Sequence, residues 1–263
     1  MENRPITLTT DFGLADPYVG AMKGAILKVN PEARITDITH LAGARDLLGA
    51  AFILKEASTY FPDKTIHVAI IDPGVGGLRA PLIIETERFA FVGPDNGIFS
   101  LVLETEIIVR AVRITNTEYF QNPVSTTFHG RDIFAPVAGH LSLGLDAGLI
   151  GEPMDIDGLV KITLPVPILE KEKITGEIIH IDNFGNLITN IDKESLEQLG
   201  EKITIKVRDR EIRRILENYS ESAREETLCA IIGSAGLLEI AVNMGSAEER
   251  LGAEVGDKVL VSL

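Results

Sequence analysis

Between residues 6 and 143, short apolar runs alternate with segments whose apolar residues recur at helical spacing, and this alternation restricts the fold more than any other feature. Residues 6–10 alternate apolar and polar side chains and end in Asp11-Phe12-Gly13. Asp16-Pro17 then offers an N-cap and first-turn pair for a helix. Val19, Met22, Ile26 and Leu27 would form its apolar face, and Asn30-Pro31 closes it. Residues 35–38 read as a second strand, 45–60 as a second helix, and 65–72 as a third, largely apolar strand running into a glycine-rich turn. Residues 81–85, 89–93 and 107–114 read as further strands, 97–103 as a short helix and 132–143 as a longer one. Strand and helix in alternation predict an α/β domain with a mainly parallel sheet.

The rhythm breaks at residues 164–172, where Pro165, Pro167 and the run Glu170-Lys171-Glu172 predict a linker. Beyond it, segments 175–181, 187–191, 203–207, 227–232, 237–242 and 258–261 are short, strand-like and divided by turns. They predict a smaller, mostly β, barrel-like domain. The expected domains are therefore 1–165 and 166–263.

A chain of 263 residues can bury a sizeable core without staples. Its single cysteine, Cys229, excludes an intramolecular disulfide framework, and the start of the chain has no basic-then-apolar leader, so a cytoplasmic enzyme is expected. Mean hydropathy is positive at +0.17, yet the apolar run at 50–54 is broken by Lys55 and Glu56, far short of a membrane span. Against 25 Lys and Arg stand 39 Asp and Glu, a net charge of -14 with no basic cluster to track a phosphate backbone. Neither nucleic acid nor membrane is expected as a partner.

Asp11 and Asp72 fall at the C-terminal ends of predicted strands, where ligands of open α/β sheets bind. A carboxylate there can accept two hydrogen bonds from a ribose diol, and it can equally cap a helix or close a turn. Asp72-Pro73-Gly74-Val75-Gly76-Gly77-Leu78-Arg79 is a glycine-rich loop lacking both the P-loop ending and the dinucleotide fingerprint. It suits close approach of backbone to a ligand, or a plain turn with a solvated arginine. Phe128-His129-Gly130-Arg131-Asp132 precedes a helix, whose dipole disfavours imidazolium, so His129 is a candidate base or a capping residue. Asp182-Asn183-Phe184-Gly185-Asn186 and Gly233-Ser234-Ala235-Gly236 read as turns between strands, and Gly93-Pro94-Asp95-Asn96-Gly97 as a turn. The five histidines and the cysteine show no paired ligand spacing, so no metal site is expected.

Taken together, Thr9-Thr10-Asp11-Phe12-Gly13, Asp72-Pro73-Gly74-Val75-Gly76-Gly77, Phe128-His129-Gly130-Arg131-Asp132 and Asp182-Asn183-Phe184-Gly185-Asn186 resemble, in order and spacing, the S-adenosylmethionine hydrolase (adenosyl-forming) family. That family was formerly a domain of unknown function and is related to the fluorinase and chlorinase. The resemblance covers nearly the whole chain and implies hydrolysis of S-adenosylmethionine to adenosine and methionine, with no cofactor. It implies that Asp11 holds the ribose hydroxyls, that Asp182 and Ser234 hold the methionine amine and carboxylate, and that Asn186 and the backbone near Val242 and Met244 face the adenine. Glu239 joins these as a substrate contact. Asp72, Arg79 and His129 are placed around a water molecule opposite the sulfur, and a homotrimer is implied, each site lying between one subunit's first domain and a neighbour's second.

The halogenases of this group carry a tyrosine where Asp72 stands, and the fluorinase has a threonine and a serine where Val75 and Gly130 stand. A carboxylate at Asp72 repels an anionic nucleophile and accepts a hydrogen bond from water. The expected mechanism is in-line displacement at the ribose C5′ by water, with His129 as general base, Asp72 as its orienting partner and Arg79 favouring hydroxide. The alternatives are a halogenase of S-adenosylmethionine, a non-catalytic adenosine or S-adenosylmethionine sensor, and a hydrolase of another nucleoside derivative.

Overall fold

The computed structural model describes residues 3–43, 46–200, 202–218, 221 and 227–263. The chain divides into two compact units, Met1–Thr163 and Leu164–Leu263. Among the described residues no helix is long and apolar enough to cross a membrane.

In the first unit, strand β1 (Ile6–Thr10) is buried along its whole length, which requires cover on both faces. Helix α1 (Tyr18–Val29) supplies cover through Val19, Met22, Ala25 and Ile26, while Leu27 lies exposed, one position off the buried stripe. Pro17 itself occupies the cap position of α1, and no side chain caps it. Strand β2 (Ile35–Thr39) follows, then α2 (Leu47–Ser58), whose first turn is capped by Asp46 accepting from the Gly49 amide at 2.8 Å. The predicted start of that helix at Arg45 lies outside the described residues. Strands β3 (Ile66–Ile70), β4 (Pro81–Thr86), β5 (Ala90–Pro94), β6 (Ile108–Ile114) and β7 (Gly151–Met154) complete a sheet of order β2-β1-β3-β5-β4-β6-β7. A one-turn helix, α3 (Ser100–Leu103), follows β5.

The sheet is parallel across β2-β1-β3-β5 and antiparallel across β5-β4-β6-β7. The change falls where the connection shortens. Residues 87–89 are too few to carry a crossover, so β4 and β5 form a hairpin, its turn held by Thr86 Oγ1 accepting from the Phe89 amide at 2.9 Å.

The predicted helix over 132–143 is two structures. Residues Gly130–Phe134 form a π turn, closed by the Ala135 amide on the Gly130 carbonyl, and α4 (Ala135–Ser142) continues from it. Pro136 has no N–H to give the Asp132 carbonyl, which instead accepts from the Gln121 amide at 2.8 Å. Such wide turns cluster at functional sites because they re-aim a side chain.

The second unit is a barrel-like sheet of order β12-β11-β16-β9-β10-β15-β14-β13, with β8 paired to β9. Its strands are β8 (Ile168–Glu170), β9 (Lys173–Ile181), β10 (Leu187–Asp192), β11 (Thr204–Val207), β12 (Arg210–Ile212), β13 (Ile215–Leu216), β14 (Leu228–Ile232), β15 (Leu237–Val242) and β16 (Lys258–Ser262). Two short helices, α5 (Lys193–Leu199) and α6 (Ala247–Leu251), are capped by Asp192 and Ser246. Ile178, Leu187, Ile205, Leu238, Ile240 and Val259 fill the interior. The predicted linker is in part the edge strand β8, which turns back onto β9.

One buried titratable group sits in the first sheet. His67 on β3 lies opposite Thr7 of β1, whose hydroxyl is 2.8 Å from Nδ1, and the ring is enclosed by Phe61, Phe89 and Phe91. Burial, reinforced by the charge of Arg88, holds its pKa down at about 3, against 6.5 in an unfolded chain. The folded state therefore sheds a proton that the unfolded state keeps, and stability is fully present above pH 6.5 and declines as pH falls toward about 3. Urea unfolding from pH 7 to pH 3 should show this decline, with a smaller slope for His67→Leu; equal slopes would remove His67 from the pH dependence. Leu8→Ala, at a fully buried position in β1, should lower unfolding free energy by about 2–5 kcal/mol in the same titration.

Candidate active site

In the first unit, β1 leads through α1 to β2 on one side, and the chain returns through α2 to β3 on the other. The crevice outside the C-terminal ends of β1 and β3 is thus the switch point of the sheet, where open α/β folds bind ligands. Thr10 pairs with Ile70, so Asp11 and Asp72 emerge from neighbouring strands at this one edge.

Three side chains meet beside it. Arg79 holds Asp72 in a two-pronged pair, Nε donating to Oδ1 at 3.1 Å and Nη2 to Oδ2. The same Nη2 donates to His129 Nδ1 at 2.9 Å. The Asp72 and Arg79 side chains are only 5% and 11% exposed, and the guanidinium lies 5.6 Å from the Phe134 ring centre. Asp72 therefore reaches His129 through Arg79. An arginine can only donate, so Nδ1 must accept, and the neutral ring carries its hydrogen on Nε2. This geometry turns the expected general base into a donor: to take a proton at Nδ1, His129 would have to part from Arg79. Burial lowers the His129 pKa below 6.5, and the Arg79 charge lowers it further against the opposing pull of Asp72 and Asp132.

The loop from Asp72 to Arg79 folds through successive tight turns, Val75 N to Asp72 O at 3.2 Å and Gly77 N to Gly74 O at 2.9 Å. Gly76 has φ +76°, and a Cβ there would stand 2.5 Å from the Thr126 carbonyl, so only glycine lets the two loops close on each other. Asn96, read from the sequence only as part of a turn, donates to the Ile71 carbonyl at 2.7 Å and secures the backbone beside Asp72. On the opposite side, the fully buried Asp132 accepts from Arg131 Nε at 2.6 Å and from the Ser125 amide at 2.8 Å. Burial pushes its carboxyl up, but these bonds and the Arg131 charge hold it below the usual range. The segment leading into His129 is thereby tied to the π turn. A Cβ on Gly130 would meet the Phe12 and Phe128 rings at 3.3 Å and Ile70 at 3.4 Å, a tight fit for which the two rings must give by a few tenths of an ångström.

In the second unit, Asp182, Asn186, Ser234, Glu239, Val242 and Met244 line one cavity of about 840 Å³, within the range of small-molecule sites. Asp182 Oδ1 accepts from the amides of Phe184 at 2.8 Å and Asn186 at 2.9 Å, while Oδ2 takes the Asn186 side-chain amide at 2.8 Å. Glu239 projects from β15 with 8% exposure, folded over Gly233, where any side chain would collide with it. Burial raises its pKa, and the nearby Asp182 raises it further. Glu217 adds a third carboxylate, and among the described residues no Lys or Arg lines the cavity, so the described lining suits a cation.

The six second-unit candidates thus share one cavity, Asp72, Arg79 and His129 form one hydrogen-bonded chain, and Asp11 follows the strand that neighbours the one leading to Asp72. The sequence reading passed over Glu217, Asn218 and Asn243 and took Phe184 only as a turn residue. An exposed aromatic in a polar turn was the one available signal for Phe184, while residues 217–218 belong to an acidic connection without periodicity.

The comparisons with known proteins follow the same division. Residues 6–151 match the SAM hydroxide adenosyltransferase N-terminal domain and residues 176–260 the C-terminal domain of that family. A protein of Methanocaldococcus jannaschii named (R)-S-adenosyl-L-methionine hydrolase is 39% identical, across 97% of this chain and 94% of its own. A solved structure of an uncharacterized conserved protein from Thermotoga maritima superposes with a TM-score of 0.90 at 34% identity, covering 98% of this chain and 100% of that one. A fluorinase of Actinoplanes sp. is more distant, 25% identical over 75% of each chain. With both domains matched in order along nearly its whole length, the chain belongs to the SAM hydroxide adenosyltransferase family.

Proposed function

We propose that this protein hydrolyses S-adenosyl-L-methionine to adenosine and L-methionine by in-line attack of water or hydroxide at the ribose C5′. The observation that carries this reading is the part-buried Asp72–Arg79–His129 chain at the switch point of the sheet. Its ion pair is neutral overall, so Arg79 can polarise the site without repelling a sulfonium. His129 presents Nε2–H to the oxygen of the nucleophile. A donor aimed at that oxygen favours hydroxide over water and would bind chloride only against the nearby Asp72 carboxylate. Attack forms the C5′–O bond and breaks the C5′–S bond, whose electron pair leaves with methionine as a neutral thioether. The proton lost by water goes to solvent. The sulfonium is its own leaving group, so the chemistry calls for no cofactor.

In this reading Asp11 holds the ribose diol. Asp182 and Ser234 hold the methionine ammonium and carboxylate, and the buried Glu239 adds a second carboxylate facing the cation. Asn186, its amide nitrogen committed to Asp182, offers Oδ1 to the adenine amino group, with the backbone of Val242 and Met244 alongside. The carboxylates of the cavity favour the cationic substrate over neutral products. The homotrimer belongs to the same proposal, supported by Leu14, Leu41 and Leu78, which lie exposed in the loops after β1, β2 and β3. So does a cytoplasmic location, where S-adenosylmethionine is made and used. The name of the archaeal relative specifies the R configuration at sulfur, and we assign this chain the same preference.

Incubation with each sulfur epimer separately, in heavy-oxygen water with and without chloride, should yield equal adenosine and methionine. Turnover should be faster for the R epimer, label should enter the adenosine 5′-hydroxyl, and no chlorinated nucleoside should form. Unchanged substrate, or unlabelled adenosine, would end the hydrolase reading. The rate should also depend on His129 being neutral. Protonation at Nδ1 displaces Arg79 and sets a second positive charge beside the sulfonium, so kcat/KM should rise with pH through a pKa below 6.5 and should not fall on its alkaline side. His129→Ala should lower kcat by about 10²–10³ and abolish that acid limb. A wild-type rate or an unchanged limb would remove His129 from the chemistry.

A further inference from the structure

We infer that His40 and Thr10 form a clamp that positions the turn carrying Asp11, and so sets how tightly the site reads the ribose diol; this rests on the ribose role proposed for Asp11. His40 follows β2 and is 3% exposed; Thr10 ends β1 and is fully buried. His40 holds the turn at both ends. Its carbonyl accepts from the Gly13 amide at 2.8 Å, and its Nδ1 lies 2.8 Å from Thr10 Oγ1, which in turn accepts from the Phe12 amide at 3.3 Å. Asp11 is thus enclosed between three backbone and side-chain anchors, all answering to one histidine.

The bonds have a single consistent direction. His40 Nε2 stands 3.1 Å from Asp37 Oδ1, off the line of a full hydrogen bond but close enough that the carboxylate favours a hydrogen on Nε2. Lys23 of α1 fixes the other oxygen of Asp37 at 2.6 Å. With its hydrogen on Nε2, the ring accepts at Nδ1 from the Thr10 hydroxyl, which leaves the threonine oxygen a lone pair for the Phe12 amide. The arrangement has the order of a nucleophilic triad, carboxylate to imidazole to hydroxyl, but its hydroxyl is sealed from solvent and occupied on both sides. It can orient backbone and cannot attack a substrate. The clamp also fixes Phe12, whose ring packs edge-on against Tyr18 and Phe128 beside the site.

The test compares binding of adenosine and 2′-deoxyadenosine by calorimetry to wild type, Thr10→Val, Thr10→Ser and Asp11→Asn. Valine keeps the shape of threonine and removes the hydroxyl, serine restores the hydroxyl, and the ratio of the two affinities is insensitive to partial unfolding. Wild type should favour adenosine by about tenfold or more, the size expected for hydrogen bonds to a well-aimed carboxylate. Thr10→Val should reduce this preference to within about threefold, and Thr10→Ser should retain it. A full wild-type preference in Thr10→Val overturns the clamp. If Asp11→Asn loses the preference while Thr10→Val keeps it, only the clamp is wrong; if Asp11→Asn keeps it, or wild type has none, the ribose role of Asp11 falls and the clamp with it.

Discussion

Arg79 brings five donors and no acceptor into a nearly closed space, and the surrounding structure is arranged to answer that demand. Burying a guanidinium is costly unless it is paired and its donors are used. Asp72 answers with two oxygens, in the geometry that best matches the planar fork, and His129 answers with the one ring nitrogen left without a hydrogen. The pair is neutral overall, and in the proposed reaction that lets the guanidinium stand near a cationic substrate. The tautomer of His129 follows from the same requirement. It is decided by what the neighbour can donate, not by the helix dipole that first marked the residue.

The backbone that delivers these three groups obeys the same economy of approach. β3 carries Asp72 to the switch point, a glycine loop returns Arg79 to it, and the π turn aims His129 back at the loop. Pro136 cannot satisfy the Asp132 carbonyl, and the Gln121 amide that takes its place draws the approaching segment against the π turn. Gly76 leaves room for a contact with the Thr126 carbonyl that any side chain would block. At Gly130 a Cβ would need the Phe12 and Phe128 rings to give by only a few tenths of an ångström.

Electrostatics divides differently from what the net charge of -14 suggests. The first unit holds a compensated pair, whereas the cavity of the second gathers Asp182, Glu217 and Glu239, with no lysine or arginine among its described lining residues. Burial raises the pKa of Glu239 and the Asp182 charge adds to it, so a cation bound beside the two would favour the carboxylate form. The overall acidity of the chain carries no such information, since most of it is solvated surface.

Local pattern alone determined the strands and helices, because burial writes a period of two or 3.6 into the order of apolar residues. It located β1, α1 and β3 to within a few residues and placed Asp11 and Asp72 just beyond strand ends. It could not distinguish a π turn from an α-helix, or foresee that the sheet turns antiparallel beyond β5, since both depend on partners distant in the chain. The resemblance grouped Asp72, Arg79 and His129, but their order of bonding was decided by tertiary structure. Which atom donates to which is a matter of distances between loops fifty residues apart, and no spacing rule along the sequence contains them.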